Sequence, residues 1–248
     1  MVVGSMAPDF YYFALVPDVL RFGHTLKGLF VFCIPLGLAL LWLFHSVLKK
    51  PLLALAPAHL RNRMSPETMK FSFWPASRMA WILISMVIGW MTHVAWDSFT
   101  HENGYITDHW LALQSRTIFW PHMHFFSSLQ FLSSGLGLLL LGIAYLKWVK
   151  RTPVVERSVV SPIMPAARNV IVVAACLAAI VFGVMNGMQF AERYRHEWLR
   201  VFVVRTLVAC ITAAFVEIVL FAVYWHIAKD KPRKPSSGAG LRQPAYQD

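Results

Sequence analysis

Three residues of ligand-forming types recur every four positions in the run THVAWDSFTH, residues 92–101: His93, Asp97 and His101. On an α-helix this spacing places all three side chains on one face. Imidazole and carboxylate groups are ligands of Zn²⁺, with bonds of about 2.0–2.2 Å. The stripe therefore predicts a metal or catalytic site. The simpler alternative is that the three groups only hydrogen-bond neighbouring helices.

One metal ion cannot hold both histidines of this stripe if the helix stays regular. A rise of about 1.5 Å per residue separates His93 and His101 by about 12 Å. Two arrangements remain open: Asp97 bridges two metal ions, or the helix unwinds near Ser98 and Thr100. In either arrangement, the surrounding secondary-structure elements must bring further ligands to these three residues.

Those elements are membrane spans. The 248 residues are 57% hydrophobic and 14% charged, whereas soluble domains carry about 25% charged residues. The mean hydropathy of +0.54 excludes a disordered chain. Five apolar runs reach the roughly 20 residues that a spanning helix needs; they cover residues 27–47, 79–99, 125–148, 168–190 and 202–227. We expect an all-α, multi-pass transmembrane bundle of about five spans, with a distortion at Pro35.

The chain is expected to divide into three parts. Residues 1–150 form a membrane domain that carries the motifs and the metal site, and residues 151–228 add two further transmembrane helices. Residues 229–248 are rich in Pro, Ser, Gly and Lys, and this composition predicts a disordered cytoplasmic tail. The first residues lack the basic region of a cleavable signal peptide, so none is expected.

The basic residues predict the topology. Of the 23 Lys and Arg, 16 lie between spans one and two, between spans three and four, or in the tail, and 7 lie elsewhere. The positive-inside rule then puts the N-terminus outside and the C-terminus in the cytoplasm. The net charge of +11 thus reflects the excess of Lys and Arg on the cytoplasmic side of the predicted topology. The basic segments adjoin apolar spans and carry no nucleic-acid-binding motif, so nucleic acid is not an expected partner.

Further polar side chains map to the outer side under this topology. Asp9 precedes the first span, His24 lies at its entrance, and His122 and His124 begin the third span. Seven of the ten histidines fall on this side, at positions 24, 93, 101, 109, 122, 124 and 196. Because the topology rests on Lys and Arg alone, this distribution independently indicates an outward-facing site.

Two other residues are possible additions to that site. Gln130 precedes the run SSGLG at 133–137, a composition that suits close helix packing. Glu217 lies near the middle of the fifth span, where an acid is a functional candidate. A hydrogen bond between helices explains Glu217 equally well.

Several short motifs resemble those of a known family. They are GSMAPDF at 4–10, HTLKG at 24–28, FH at 44–45, KPL at 50–52, the run at 92–101, and Gln130 with SSGLG. Together they resemble a bacterial membrane family catalogued as domain of unknown function 4184. The resemblance implies a protein of the bacterial cytoplasmic membrane, and it carries no established activity.

A more distant resemblance concerns the order Pro-Asp, His, His-x-x-x-Asp. It is similar to membrane-bound, predicted metal-dependent hydrolases and to zinc-dependent phospholipase C. That resemblance implies zinc ligands at Asp9, His24, His93 and Asp97, with His101 as a further ligand at shorter spacing. Family members usually begin with an additional Ser-His-Pro segment. This sequence starts three residues before Gly4, so two alternatives stay open: the true start lies further upstream, or the protein lacks one possible ligand.

Two functional hypotheses follow. The first is a metal-dependent hydrolase, with Zn²⁺ as the expected cofactor, which acts on a lipid-linked ester or phosphoester at the outer membrane face. The second is a non-catalytic membrane protein: a transporter, metal chaperone or assembly factor. Transporters place polar groups near the middle of the bilayer, and only Glu217 clearly lies that deep. No catalytic residue is assigned, membrane lipids are the expected partners, and the sequence identifies no protein partner.

Overall fold

A computed structural model describes residues 1–13, 22–65, 70–117, 123–155, 161–194 and 198–229. In chain order the helices are α1 (Val2–Met6), α2 (Phe10–Phe13), α3 (Leu26–Leu55), α4 (Ala58–Arg61), α5 (Ala76–Thr100), α6 (Tyr105–His109), α7 (Leu111–Gln114), α8 (Phe125–Arg151), α9 (Pro165–Ala191) and α10 (Trp198–Lys229). Five of these segments are long and apolar enough to cross a membrane. The predicted all-α bundle with five spans is therefore confirmed. Within the described ranges, extended pairing is limited to one isolated bridge, between Arg116 and His124.

The first span, α3, is longer than predicted and contains two wide turns. Leu29–Cys33 and Phe44–Leu48 are π-helical. The N–H of Ile34 bonds to the carbonyl five residues earlier. Each wide turn ends shortly before a proline, Pro35 or Pro51, a residue that lacks the N–H an α-helix uses. The distortion expected at Pro35 thus takes the form of a π turn just ahead of it.

The N-terminal segment lies alongside the second span. Gly4 of α1 packs on the backbone of Met86, where an added Cβ would lie 2.7 Å from the Met86 Cα. An added Cβ on Gly89 would lie 2.8 Å from the backbone nitrogen of Ser5. Such close approach requires residues without side chains. This contact carries the residues that follow α1 toward the C-terminal end of α5.

A small core ties this segment to the first two spans. Ala7, Leu29 and Cys33 are almost fully buried together, and partly buried apolar side chains pack on them: Phe10, Phe32, Ile34, Val87 and Trp90. These residues come from the N-terminal segment, α3 and α5. The three elements therefore form one packed unit.

The last two spans form a close antiparallel pair. Gly183 and Gly187 of α9 are buried against Thr206 and Phe202 of α10. The pair joins the rest of the chain mainly through α10, where the Thr212 hydroxyl oxygen lies 3.4 Å from the carbonyl oxygen of Phe13. At the far end of α10, His226 Nε2 donates to the carbonyl of Val47 at 3.1 Å.

Segments predicted to share the cytoplasmic side meet at one end of the bundle. Arg63 Nε donates to the carbonyls of Val149 and Thr152, both at 3.0 Å, at the end of α8. The Ser161 hydroxyl donates to the Ala54 carbonyl at 2.8 Å. The five spans therefore alternate as expected. Which side of the membrane each end of the bundle faces stays a prediction, as does the division of the chain into three parts. The tail after Lys229 lies outside the described residues.

Candidate metal centre

Four side chains of ligand-forming types converge at the opposite end of the bundle. Asp9, His24, His93 and Asp97 each offer one ligand atom, and these atoms all lie within 4.8 Å of one another. They come from three separate segments: the 3-10 turn Ala7–Asp9, the 3-10 turn Phe22–His24, and α5. All four were predicted ligands, and the fold brings them together.

The spacing of the His24, His93 and Asp97 ligand atoms is close to that of a tetrahedral metal site. Nε2 of His24 and Nε2 of His93 are 3.3 Å apart, and Oδ2 of Asp97 lies 3.0 Å from each. The two oxygens of Asp9 lie 3.6 Å from these nitrogens, one from each. A tetrahedron with metal–ligand bonds of about 2.0–2.1 Å has edges of about 3.3 Å. The group could therefore hold one metal ion.

His24 is positioned by hydrogen bonds around its turn. The Gly23 carbonyl accepts from Trp90 Nε1 at 2.8 Å and from the Cys33 thiol at 3.4 Å. Thr25 caps the start of α3, because its hydroxyl oxygen accepts from the Gly28 N–H at 2.9 Å. These bonds fix the entrance of the first span against the second.

Asp9 is brought to the same point by close backbone packing. Pro8 is buried, and an added Cβ on Gly23 would lie 3.0 Å from the Pro8 Cα. The two turns that carry Asp9 and His24 therefore touch. Burial raises the pKa of the Asp9 carboxyl above its usual value, while the neighbouring His93 and His24 lower it. A cation placed among these groups would offset the cost of burying the carboxylate.

His93 and Asp97 lie one turn apart on α5, on the same face, as the spacing predicted. Their side chains are 15% and 20% exposed, against 24% for His24 and 40% for Asp9. The centre is thus mostly enclosed and opens on the Asp9 side. Such an arrangement can bind a divalent cation while leaving one side accessible to water or substrate.

His101 lies beside the group of four and not within it. Helix α5 ends at Thr100, and His101 follows with an extended backbone. Nδ1 of His101 is 3.4 Å from Oδ1 of Asp97, the oxygen turned away from the other two histidines. Its Nε2 accepts from the Gln130 amide at 3.1 Å. The helix therefore ends here, and His101 contacts Asp97 from outside the group.

The other possible site residues are scattered. Gln130 reaches the centre only through His101. The His124 ring stacks on Phe126, with centroids 5.3 Å apart, and it is not among the four grouped residues. Glu217 is half-buried on α10, between the contacts made by Thr212 and His226. His122 lies outside the described residues.

Two supporting residues were missed from the sequence. Thr25 stands just before the apolar run, a position where threonine is a signal for the start of a helix. Trp90 lies three residues before His93, so helical spacing alone places it on the same face. Neither signal could have revealed that Trp90 bonds to the turn that carries His24.

Comparison with known proteins gives one result. A family model described as Domain of unknown function (DUF4184) matches residues 1–223. Neither the curated proteins nor the solved structures contain a match to the chain. The matched range includes the N-terminal segment, most of the five spans and all four residues of the candidate centre. The chain therefore belongs to the DUF4184 family, a family of domains of unknown function.

Proposed function

We propose that this protein is a metal-dependent hydrolase of the bacterial cytoplasmic membrane, acting on an ester or phosphoester of a lipid-linked substrate at the outer face. One observation carries the proposal: four ligand-forming side chains from three segments meet at the spacing of a metal site. A functional centre accounts for their cost within a membrane protein.

Zn²⁺ is the cofactor we propose, because two imidazole nitrogens and two carboxylate oxygens suit it. When bound, it would supply Lewis-acid polarisation of a phosphoryl or acyl oxygen and an activated water. His24, His93 and Asp97 form the enclosed side of the centre. Asp9 is the most exposed of the four, so we place the entry of substrate beside it. His101 would hold the orientation of Asp97 from outside the group.

The surroundings of the centre favour a lipid-linked substrate. Exposed apolar or aromatic side chains lie close in sequence to three of the four ligand residues: Tyr12, Leu26 and Trp96. Tyrosine and tryptophan, as at Tyr12 and Trp96, are typical of the membrane–water interface. A substrate anchored in the bilayer would therefore present its polar bond at the level of the centre.

Metal analysis of the purified full-length protein in detergent tests the proposal. We expect about one equivalent of zinc in the wild type and a nearly complete loss in His93→Ala. His59→Ala is the matched control, because His59 bonds to Tyr145 at the other end of the bundle. Less than about half an equivalent, unchanged by His93→Ala, would refute the metal centre.

A panel of lipid substrates in nanodiscs then tests the reaction. Carboxylic esters, phosphomonoesters and phosphodiesters of lipids are compared, and the activity should disappear with a chelator and return with Zn²⁺. Metal transport is the second candidate function, since Glu217 is a half-buried acid inside a span with no described polar partner. Metal uptake into liposomes that depends on Glu217 would favour transport over hydrolysis.

A further inference from the structure

Two arginines share one aromatic ring where α9 turns into α10. The Cζ of Arg205 lies 4.3 Å from the centroid of the Phe190 ring, and the Cζ of Arg193 lies 5.5 Å from it. This turn is at the end of the bundle that holds the candidate metal centre, because α9 starts and α10 finishes at the other end. The predicted topology makes this a positive cluster on the side that should be poor in Lys and Arg.

Among the described residues, the two guanidinium groups have no acidic partner. In the part of the chain that the structure describes, neither lies within 4.0 Å of a carboxylate. The adjacent Glu192 is exposed and pairs with neither. Two like charges held at one ring repel each other, and a cation–π contact returns only about 0.5–2 kcal/mol. An anion between them would relieve that repulsion.

Helix electrostatics explain only one of the two positions. Arg193 follows the last turn of α9, where a cation is favourable. Arg205 is the eighth residue of α10 and is half-buried, so it is beyond the reach of any helix-end effect. Its aliphatic stem can lie along the helix while its guanidinium stays at the polar boundary. The stacked pair Trp198 and Phe202, with ring centroids 5.1 Å apart, marks an aromatic boundary at the same end.

We infer that Arg193 and Arg205, held on the ring of Phe190, bind the phosphate of a membrane phospholipid headgroup. The planar guanidinium donates paired N–H groups that match phosphate oxygens. A lipid is the source we commit to, because Arg205 lies on an apolar spanning helix at headgroup level. The inference does not depend on the hydrolase proposal, since it involves none of the ligand residues.

The experiment titrates the full-length protein, in a zwitterionic detergent, with fluorescently labelled phosphatidylglycerol. The double variant Arg193→Gln/Arg205→Gln should weaken binding by about tenfold or more, as expected for the loss of charge-assisted hydrogen bonds. Arg205→Lys keeps the charge but not the paired N–H groups, so an intermediate loss is expected. Arg116→Gln is the matched control: an exposed arginine at the same end, outside the pair.

The outcomes are distinct. Unchanged binding in the double variant overturns the site. An equal loss of lipid binding in Arg116→Gln would show that binding depends only on the overall positive charge, and this also overturns the site. If inorganic phosphate at the same concentration displaces the lipid completely, the site takes a free anion and the lipid assignment is wrong. If the double variant does not fold, lipid binding by the single variant Arg205→Lys tests the site instead. Zinc content, measured in parallel, reports on the metal centre separately.

Discussion

Oδ2 of Asp97 and Nε2 of His24 lie 3.0 Å apart, although 73 residues separate them in sequence. The same oxygen is 3.0 Å from Nε2 of His93. Asp97 thus joins the second span to the entrance of the first, and it contacts both imidazoles through one atom. It is the carboxylate on which the geometry of the centre depends most.

Asp97→Asn should therefore lower zinc affinity by more than about 100-fold, since even outer-shell changes cost about 10–100-fold. The amide keeps the shape but removes the negative charge between two imidazole groups. Competition with a chromophoric chelator measures the affinity. Asp108→Asn, which changes an aspartate outside the group of four, is the control. Equal affinities for the two variants would contradict the assigned role.

His101→Ala tests whether His101 is a metal ligand or a residue that supports Asp97. Because His101 contacts the second oxygen of Asp97, its loss should leave the zinc stoichiometry intact. Affinity should fall by about 10–100-fold, the usual effect of an outer-shell partner. Metal content and chelator competition on the same sample check both statements. Loss of the bound metal altogether would show that His101 is a ligand, as the sequence resemblance implied.

Gly4→Ala tests the packing that delivers Asp9. The new methyl group would meet the backbone of Met86, and overpacking of this kind costs about 1–3 kcal/mol. We expect a lower melting temperature in detergent and weaker zinc binding. The control is Gly135→Ala, because nothing lies within 4 Å of a Cβ built there. If the two variants have the same melting temperature, the close contact between α1 and α5 is not needed for stability.

Trp90→Phe removes the indole N–H that donates to the Gly23 carbonyl at 2.8 Å. The cost to stability should be about 1 kcal/mol, together with a measurable loss of zinc affinity because the turn carrying His24 loosens. Thermal unfolding and chelator competition provide the two readouts. Trp81→Phe, at a tryptophan that is 68% exposed, should change neither. A loss of stability without any change in affinity would mean that the bond does not position His24.

The pH dependence of zinc binding should reflect Asp9. Burial raises the pKa of its carboxyl, and a metal ligand must be deprotonated. Protons therefore compete for Asp9 at a higher pH than for an exposed aspartate, so affinity should fall as the pH drops from about 7 toward about 5. Asp9→Asn should weaken binding and make its pH dependence shallower; a slope equal to that of the wild type would contradict this.

Sequence patterns predicted the parts of the centre that lie within one helix. The four-residue spacing was enough to place His93 and Asp97 together, because helical periodicity is local. For His101 the spacing left two arrangements open, and the end of α5 at Thr100 agrees with the one in which the helix unwinds near Ser98 and Thr100. The five spans followed from apolar length alone.

The contacts between segments could not be derived from periodicity. Residues 2–13 are too short for a membrane span, and their position beside α5 depends on how Gly4 and Met86 fit together. The predicted topology places His24 on the same side as the others, and the more distant resemblance implies that it is a ligand. Its placement depends on long-range bonds from Trp90 and Cys33 to one carbonyl, which no local pattern encodes.

The order of the four residues along the chain has a consequence for biosynthesis. Asp9 and His24 leave the ribosome with the first span, and His93 and Asp97 follow on the second. All four residues are therefore present once the first helical hairpin has entered the bilayer, before α8, α9 and α10 insert. A metal ion captured at that stage would lock the nascent hairpin in register, and the later spans would assemble around a finished centre.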